Sequence, residues 1–430
     1  MMKNFARAAF AATLICASAG AVSLVSSALA ADAPSVSKSV AKPLSEAQKL
    51  MTTGDFKGAL AKVQEAQAAT DRTPFDDYKI NQFLAFVAIK QTDYPAATTA
   101  YEAMADSTVM PDEEKKDTWH NACLLSSQAK HYQKAIVYCG QLATINALDD
   151  QTTATLAEDY YFTNDIPHAQ QYAQQSIDRS KAAGQPPNQA ALQIVMSAQA
   201  KQNNQAGAEE TLEQLALTYN GADNWGQLID VTLGTRGLKD QDALYLYRLR
   251  LLVGAMSHPD DYTTLGGVAS QLGYPTEAVA VLQQGISSGK ITSGQAADIM
   301  NKARRDAAAD ARSLPSIEAS AARAKTGEQD VKLGEDYWGY GRYADAEAAA
   351  QRAVAKGGLK NPGEGPLLIG AAQAAQGKYD EAVQSLSQVG GSDAQKKTAH
   401  LWSIYAQAKK KQTQGAATPA AAPASQTPAQ

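Results

Sequence analysis

A short mark recurs along this chain: an aromatic or apolar residue, two intervening residues, then alanine. It stands at Phe56/Ala59, Tyr94/Ala97, Tyr132/Ala135, Ile166/Ala169, Tyr343/Ala346 and Tyr379/Ala382. Weaker copies end at Ala208, Ala243 and Ala278. Successive alanines lie 38, 38, 34, 39, 35, 35, 68 and 36 residues apart. Because 68 is twice 34, a degenerate copy is expected near residues 300–325. A period of this length means one supersecondary unit written many times, each unable to bury its apolar face alone.

The unit reads as a helix hairpin. Glycine or a small polar residue before the mark tolerates the backbone of a tight turn. The aromatic covers that turn, and the alanine lets two helices approach closely. Apolar residues three and four apart precede the mark, as at Phe83, Leu84, Phe86 and Val87, and follow it, as at Ala382, Val383, Leu386 and Val389. The segment WHNACLLSSQAKHYQKAIVYCGQL, opened by Trp119, resembles the tetratricopeptide repeat family, as do the last two units. The resemblance runs over roughly residues 45–408. Several turns lack glycine, the family's closing proline is mostly missing, and spacings of 38 and 39 exceed its usual period. The resemblance implies an all-α solenoid of about ten antiparallel helix pairs, with the array placed at residues 44–408.

Around the array, residues 31–43 read as a flexible lead, and residues 409–430, rich in Ala, Pro and Gln, read as a disordered tail. Residues 1–30 read as a secretory signal: Lys3 and Arg7, an apolar run, then Ala28-Leu29-Ala30 as a small-residue cleavage site. Cys16 lacks the preceding small residue of a lipoprotein site. Export to a bacterial periplasm is the expectation. Without the signal the chain has 37 bases and 44 acids, net −7. No basic patch or second long apolar run appears, so neither nucleic acid nor membrane insertion after signal removal is expected. Gln185-Pro186-Pro187-Asn188 marks a break between units, and Gly221, Gly226, Gly234 and Gly237 suggest short or loose helices nearby.

Two cysteines outlast processing. Cys123 lies eight residues before His131 and Cys139 eight after, so a hairpin turning at His131 sets them face to face. A structural disulfide is one reading; two buried thiols packing as small apolar residues is the other.

A helical solenoid presents a concave face lined by first helices. In this register the partner-binding candidates are Phe86, Lys90, His120, Leu124, Glu158, Tyr161, Phe162, Gln193, Trp225, Leu228 and Arg236, a mixed surface suited to an extended peptide or a partner helix. Trp225 is the foremost candidate, since it opens a Gly-rich unit and aromatics often anchor interfaces. Chaperone-binding family members hold a terminal carboxylate with a Lys and Asn or Arg clamp. Gln82 and Phe86, or His120 and Leu124, stand at the matching positions and do not carry it.

Catalytic motifs are weak. Five histidines are scattered, and no zinc spacing or metal or cofactor motif appears. Gly285-Ile286-Ser287-Ser288-Gly289 matches a nucleophile elbow formally but follows a helix rather than a strand. Asp76-Asp77, Glu113-Glu114 and Asp149-Asp150 sit at expected helix starts, where the helix dipole favours acids. The chain is expected to be a non-enzymatic, exported scaffold or adaptor that binds a protein or peptide in its groove, in envelope assembly or transport. Two other readings stand beside it: a glycan- or peptidoglycan-binding accessory of an envelope enzyme, and a self-associating repeat protein. Partner identity and oligomeric state are not legible.

Overall fold

The computed structural model describes residues 35–417. The expected signal and the last part of the expected tail, residues 418–430, lie outside the described residues. Among the described residues there are twenty helices and no strand. They form two compact units divided between Arg179 and Ser180, close to the Pro186-Pro187 break, where the sequence suggested one continuous array.

The first unit is four helix pairs: α1 (Lys38–Thr52) with α2 (Phe56–Gln67), α3 (Pro74–Lys90) with α4 (Tyr94–Ala105), α5 (Asp112–Gln128) with α6 (Tyr132–Thr144), and α7 (Asp150–Phe162) followed by α8 (Ile166–Ala182). Each turn inside a pair uses one device. The residue two before the mark is left-handed: Gly54, Thr92, Lys130 and Asn164, with φ of 79, 58, 65 and 64°. The next residue caps the second helix where it is acidic. Asp55 accepts from the Gly58 amide at 2.8 Å, and Asp93 from Ala96 at 3.1 Å. Glycine suits the left-handed position, but Thr92 and Lys130 occupy it too, which is why several turns hide from a glycine search. Ala59, Ala97, Ala135 and Ala169 are fully buried between helices, as the mark requires.

The segment expected to be a flexible lead is helical from Lys38 onward. α1 begins at Lys38, carries Pro43 inside it, and buries Val40, Pro43 and Leu44. Pro43 stands at the sixth helical position, where it removes the bond an amide would make to the Ser39 carbonyl, and its ring is buried with Leu44 and Ala47. Trp119 does not open its helix either: α5 begins at Asp112, with Asp112, Glu113 and Glu114 in its first turn.

The second unit continues with α9 (Gln189–Lys201) and α10 (Gln205–Tyr219), α11 (Ala222–Leu233) and α12 (Asp240–Leu252), α13 (Pro259–Leu272) and α14 (Pro275–Ser287). Then the pattern breaks. The slot expected to hold a degenerate hairpin is one helix, α15 (Ser293–Arg323), of 31 residues. Pairs resume with α16 (Glu328–Gly339) and α17 (Tyr343–Lys356), then α18 (Glu364–Ala375) and α19 (Tyr379–Leu386). A last single helix, α20 (Asp393–Ala417), takes in the first nine residues of the segment expected to be disordered. The described array is therefore nine pairs and two unpaired long helices.

α20 lies against α18 and α19 and also against α10, α11 and α12, so the end of this unit meets its beginning. Trp402 of α20 is fully buried and donates from Nε1 to the Tyr245 carbonyl at 3.1 Å. Its ring meets Trp338, Tyr245 and Tyr405 edge-on, with centroids 5.9–6.4 Å apart. Salt bridges from Lys397 to Glu209 (3.2 Å) and from Lys410 to Asp380 (2.6 Å) flank it. Beside this aromatic centre, buried Arg248 of α12 binds Glu277 of α14 through Nε and Nη2 at 2.8 and 2.6 Å, and Glu335 of α16 through Nη1 at 2.6 Å. Tyr245 and Gln241 also donate to Glu335. Removing one partner of such a buried ion cluster is costly, because it leaves an uncompensated buried charge.

Candidate functional site

In the first unit, α1 touches α3 and α5 touches α7, while the second helices have no comparable mutual contact. No comparable contact joins α3 to α5. Seven of the expected groove residues lie on the first helices α3, α5 and α7.

Phe86, half-buried on α3, sits 6.4 Å from the Phe56 ring, and Lys90 places its ammonium 5.4 Å above it. Leu124 of α5 is half-buried over the cluster that holds Cys123 and Cys139. Phe162 is 50% exposed at the end of α7, stacks on Tyr132 at 4.9 Å and meets Tyr161 edge-on. Phe86, Leu124 and Phe162 are thus partly open apolar side chains, one on each of α3, α5 and α7.

The polar residues on these helices are largely engaged. His120 Nε2 lies 2.9 Å from Asp149 Oδ2. Burial acts to raise the Asp149 carboxyl, but bonds from His120 and Thr152 hold it well below the usual carboxylate range. Glu114 accepts from Tyr78 (2.7 Å), Lys79 (2.9 Å) and Gln82 (2.8 Å). Sequence reasoning missed this knot; the signal for it was the Tyr-Lys-x-x-Gln run of α3 facing the acidic start of α5. Glu158 is pushed up to about 7 by burial, and its Oε1 has no hydrogen-bond partner. Its neighbour Asp159 is also raised to about 7, chiefly by burial and further by Glu158, against one bond from Ser127 Oγ at 2.7 Å. A shallow cleft of about 390 Å³ at the turns is lined by Glu102, Lys130, His131, Tyr132, Gln133, Lys134 and Thr163. Its centre is taken by Glu102, which accepts from Ser126, His131 and Lys134 at 2.6–2.9 Å.

The Cα atoms of Cys123 and Cys139 are 5.2 Å apart, both residues are fully buried, and the sulfurs lie at bonding distance.

In the second unit the expectation fails for its foremost residue. Trp225 and Leu228 are fully buried. Trp225 donates to Asn220 Oδ1 at 2.8 Å and meets Tyr405 of α20 edge-on at 6.1 Å. Of the four glycines, Gly221 caps the start of α11, Gly226 lies inside it, and Gly234 and Gly237 lie beyond its end, while α20 packs against the helix. Nothing in residues 218–240 signals a helix that arrives from residue 393 onward. Gln193 is half-buried on α9, and Arg236 is exposed in the turn after α11. Gly285 lies inside α14, and a side chain there would meet the Tyr262 ring.

Among the described residues no group of three His, Cys, Asp or Glu could hold a metal ion, and no helix is long and apolar enough to cross a membrane.

By its packing the chain is an all-α array of antiparallel helix pairs, tetratricopeptide-like in each hairpin. No family model matches it, and no curated protein does. Among solved structures, a chain of the Naa15/Naa10 complex bound to HypK-THB is similar at 12% identity and a TM-score of 0.31, over 80% of this chain and 62% of that one. A tetratricopeptide repeat protein from Parabacteroides merdae ATCC 43184 is similar at 10% identity and a TM-score of 0.27, over 86% of this chain and 99% of that one. The chain thus spans under two thirds of the Naa15/Naa10 chain it matches. Scores this low fix neither repeat register nor partner, and the architecture stands on the helix pairs themselves.

Proposed function

We propose that this chain is an exported, non-catalytic scaffold whose first unit docks an extended peptide or partner helix along its inner face. One observation carries the reading. Phe86, Leu124 and Phe162, on the successive first helices α3, α5 and α7, are apolar side chains left half-open among polar groups that largely bind one another. Apolar surface of this kind gains by covering, whereas satisfied ion pairs gain little. In the second unit α20 packs against α10, α11 and α12, so Trp225 and Leu228 there are covered by the chain itself. Export through a signal cleaved near Ala30 would place the protein in a bacterial periplasm. There the Cys123–Cys139 pair would close as a disulfide, and a role in envelope assembly or transport fits that setting.

Photo-crosslinking in the native cell tests the docking face. A photoreactive residue would replace Phe162, with a control at Val137, which is 56% exposed on α6. A discrete protein adduct at position 162 alone supports the reading. Adducts at neither position, or equally at both, count against it and favour glycan binding or self-association.

A further inference from the structure

α15 is built unlike its neighbours. Its 31 residues span about 46 Å at ~1.5 Å each. Ala296, Met300 and Ala303 are buried near its start and Ala321 near its end, yet no residue from 304 to 320 is buried. Ala307, Leu314 and Ile317 are only half-buried. Pro315 interrupts this stretch and removes one helical hydrogen bond, giving it a natural hinge.

What holds the middle down is polar. Tyr337 donates to Glu318 Oε1 at 2.6 Å, Tyr340 to Asp310 Oδ2 at 3.2 Å, and Ser320 to Gln329 at 2.7 Å. Beneath this seam lies Asp336 of α16, 3% exposed, with Oδ2 lacking any partner. An ionised carboxylate so placed is costly, and a protonated one is not.

The surrounding charge points the same way. α15 contributes Asp310 and Glu318, and α16 itself contributes Glu335 and Lys332. Glu277 of α14 is neutralised by Arg248. From α17, Asp345 holds Arg342, and Arg352 and Lys356 are spent on Asp330. α18 adds Glu364, itself raised by burial. Lys332 is the one opposing charge acting on Asp336.

We propose that α15 is a hinged strap, closed over Asp336 while that carboxyl keeps its proton and released when the proton leaves to solvent. Release would uncover Tyr337 and Tyr340 together with the Leu314 and Ile317 edge of the strap. Burial first, then Asp310, raises the Asp336 carboxyl to about 7. The closed strap thus binds more protons than the open one from the ordinary aspartate range up to about 7. Closure is strongest at low pH, weakens through that window and levels off above it.

Hydrogen exchange on the full mature chain tests this, with amide rates in residues 304–320 normalised to the intrinsic rate at each pH. Between about pH 5 and about pH 8, protection should fall by roughly tenfold or more. Asp336→Asn should keep the strap closed throughout, and Asp310→Asn should flatten the dependence by removing the repelling partner. Normalised protection that does not change with pH, or that changes equally in Asp336→Asn, would overturn the proposal.

Discussion

The two units repeat the same hairpin and do opposite things with its inner face. In the first, residues 35–179, the face is left half-open. In the second, the chain returns after nearly two hundred residues and fills it with Trp402 and Tyr405. Charge follows the same division. The first unit has 13 bases against 19 acids, net −6, while residues 180–417 have 24 of each. Of the buried acids only Asp76, Glu102 and Asp159 lie in the first unit, whereas seven lie in the second. A face covered by its own chain must neutralise what it buries; a face left open can keep its charge in water. The same repeat can thus be a surface or a core, depending on whether one more helix arrives.

The largest expected effect breaks the second unit. Arg248→Ala strands Glu277 and Glu335 without a countercharge and should cost about 3–5 kcal/mol in chemical denaturation. Trp402→Ala should cost a similar ~3–5 kcal/mol by opening a large cavity, whereas Phe162→Ala, at a half-open site, should cost less than about 1 kcal/mol. Equal losses at 402 and 162 would erase the contrast between the units. Reducing the Cys123–Cys139 pair, which closes a short loop, should destabilise the first unit by ~3 kcal/mol, and mass spectrometry without reduction should find no free thiol. The smallest effect is a gain: Thr92→Gly relieves a left-handed threonine and should stabilise by about 0.5–1 kcal/mol.

The sequence made the hairpin legible because its constraint is local. An alanine that two helices touch and a turn beside it leave a mark every repeat. The same logic placed Asp76-Asp77, Glu113-Glu114 and Asp149 at helix starts, with Asp149 and Thr152 forming a capping box. The cysteines could be set face to face because distance from a turn is also local. What stayed hidden is long-range. Trp225 looked like an anchor for a partner, and it is an anchor, but for Tyr405 of its own chain. Arg248, Glu277 and Glu335 are 87 residues apart at their widest and share no motif. The degenerate slot gave the right length for a hairpin, yet its run rich in Ala, Arg and Asp has no glycine or proline between Gly294 and Pro315 and continues as one helix. Base composition alone could not distinguish a hairpin that had lost its mark from a helix that never turned.

The central claim is that α20 makes the second unit a closed core while the first unit's face stays open. Hydrogen exchange on a chain ending before Asp393 tests it most directly. The account predicts that α11 and α12 lose their protection and that α1 to α7 keep theirs. Unchanged protection of α11 and α12 without α20 would contradict it.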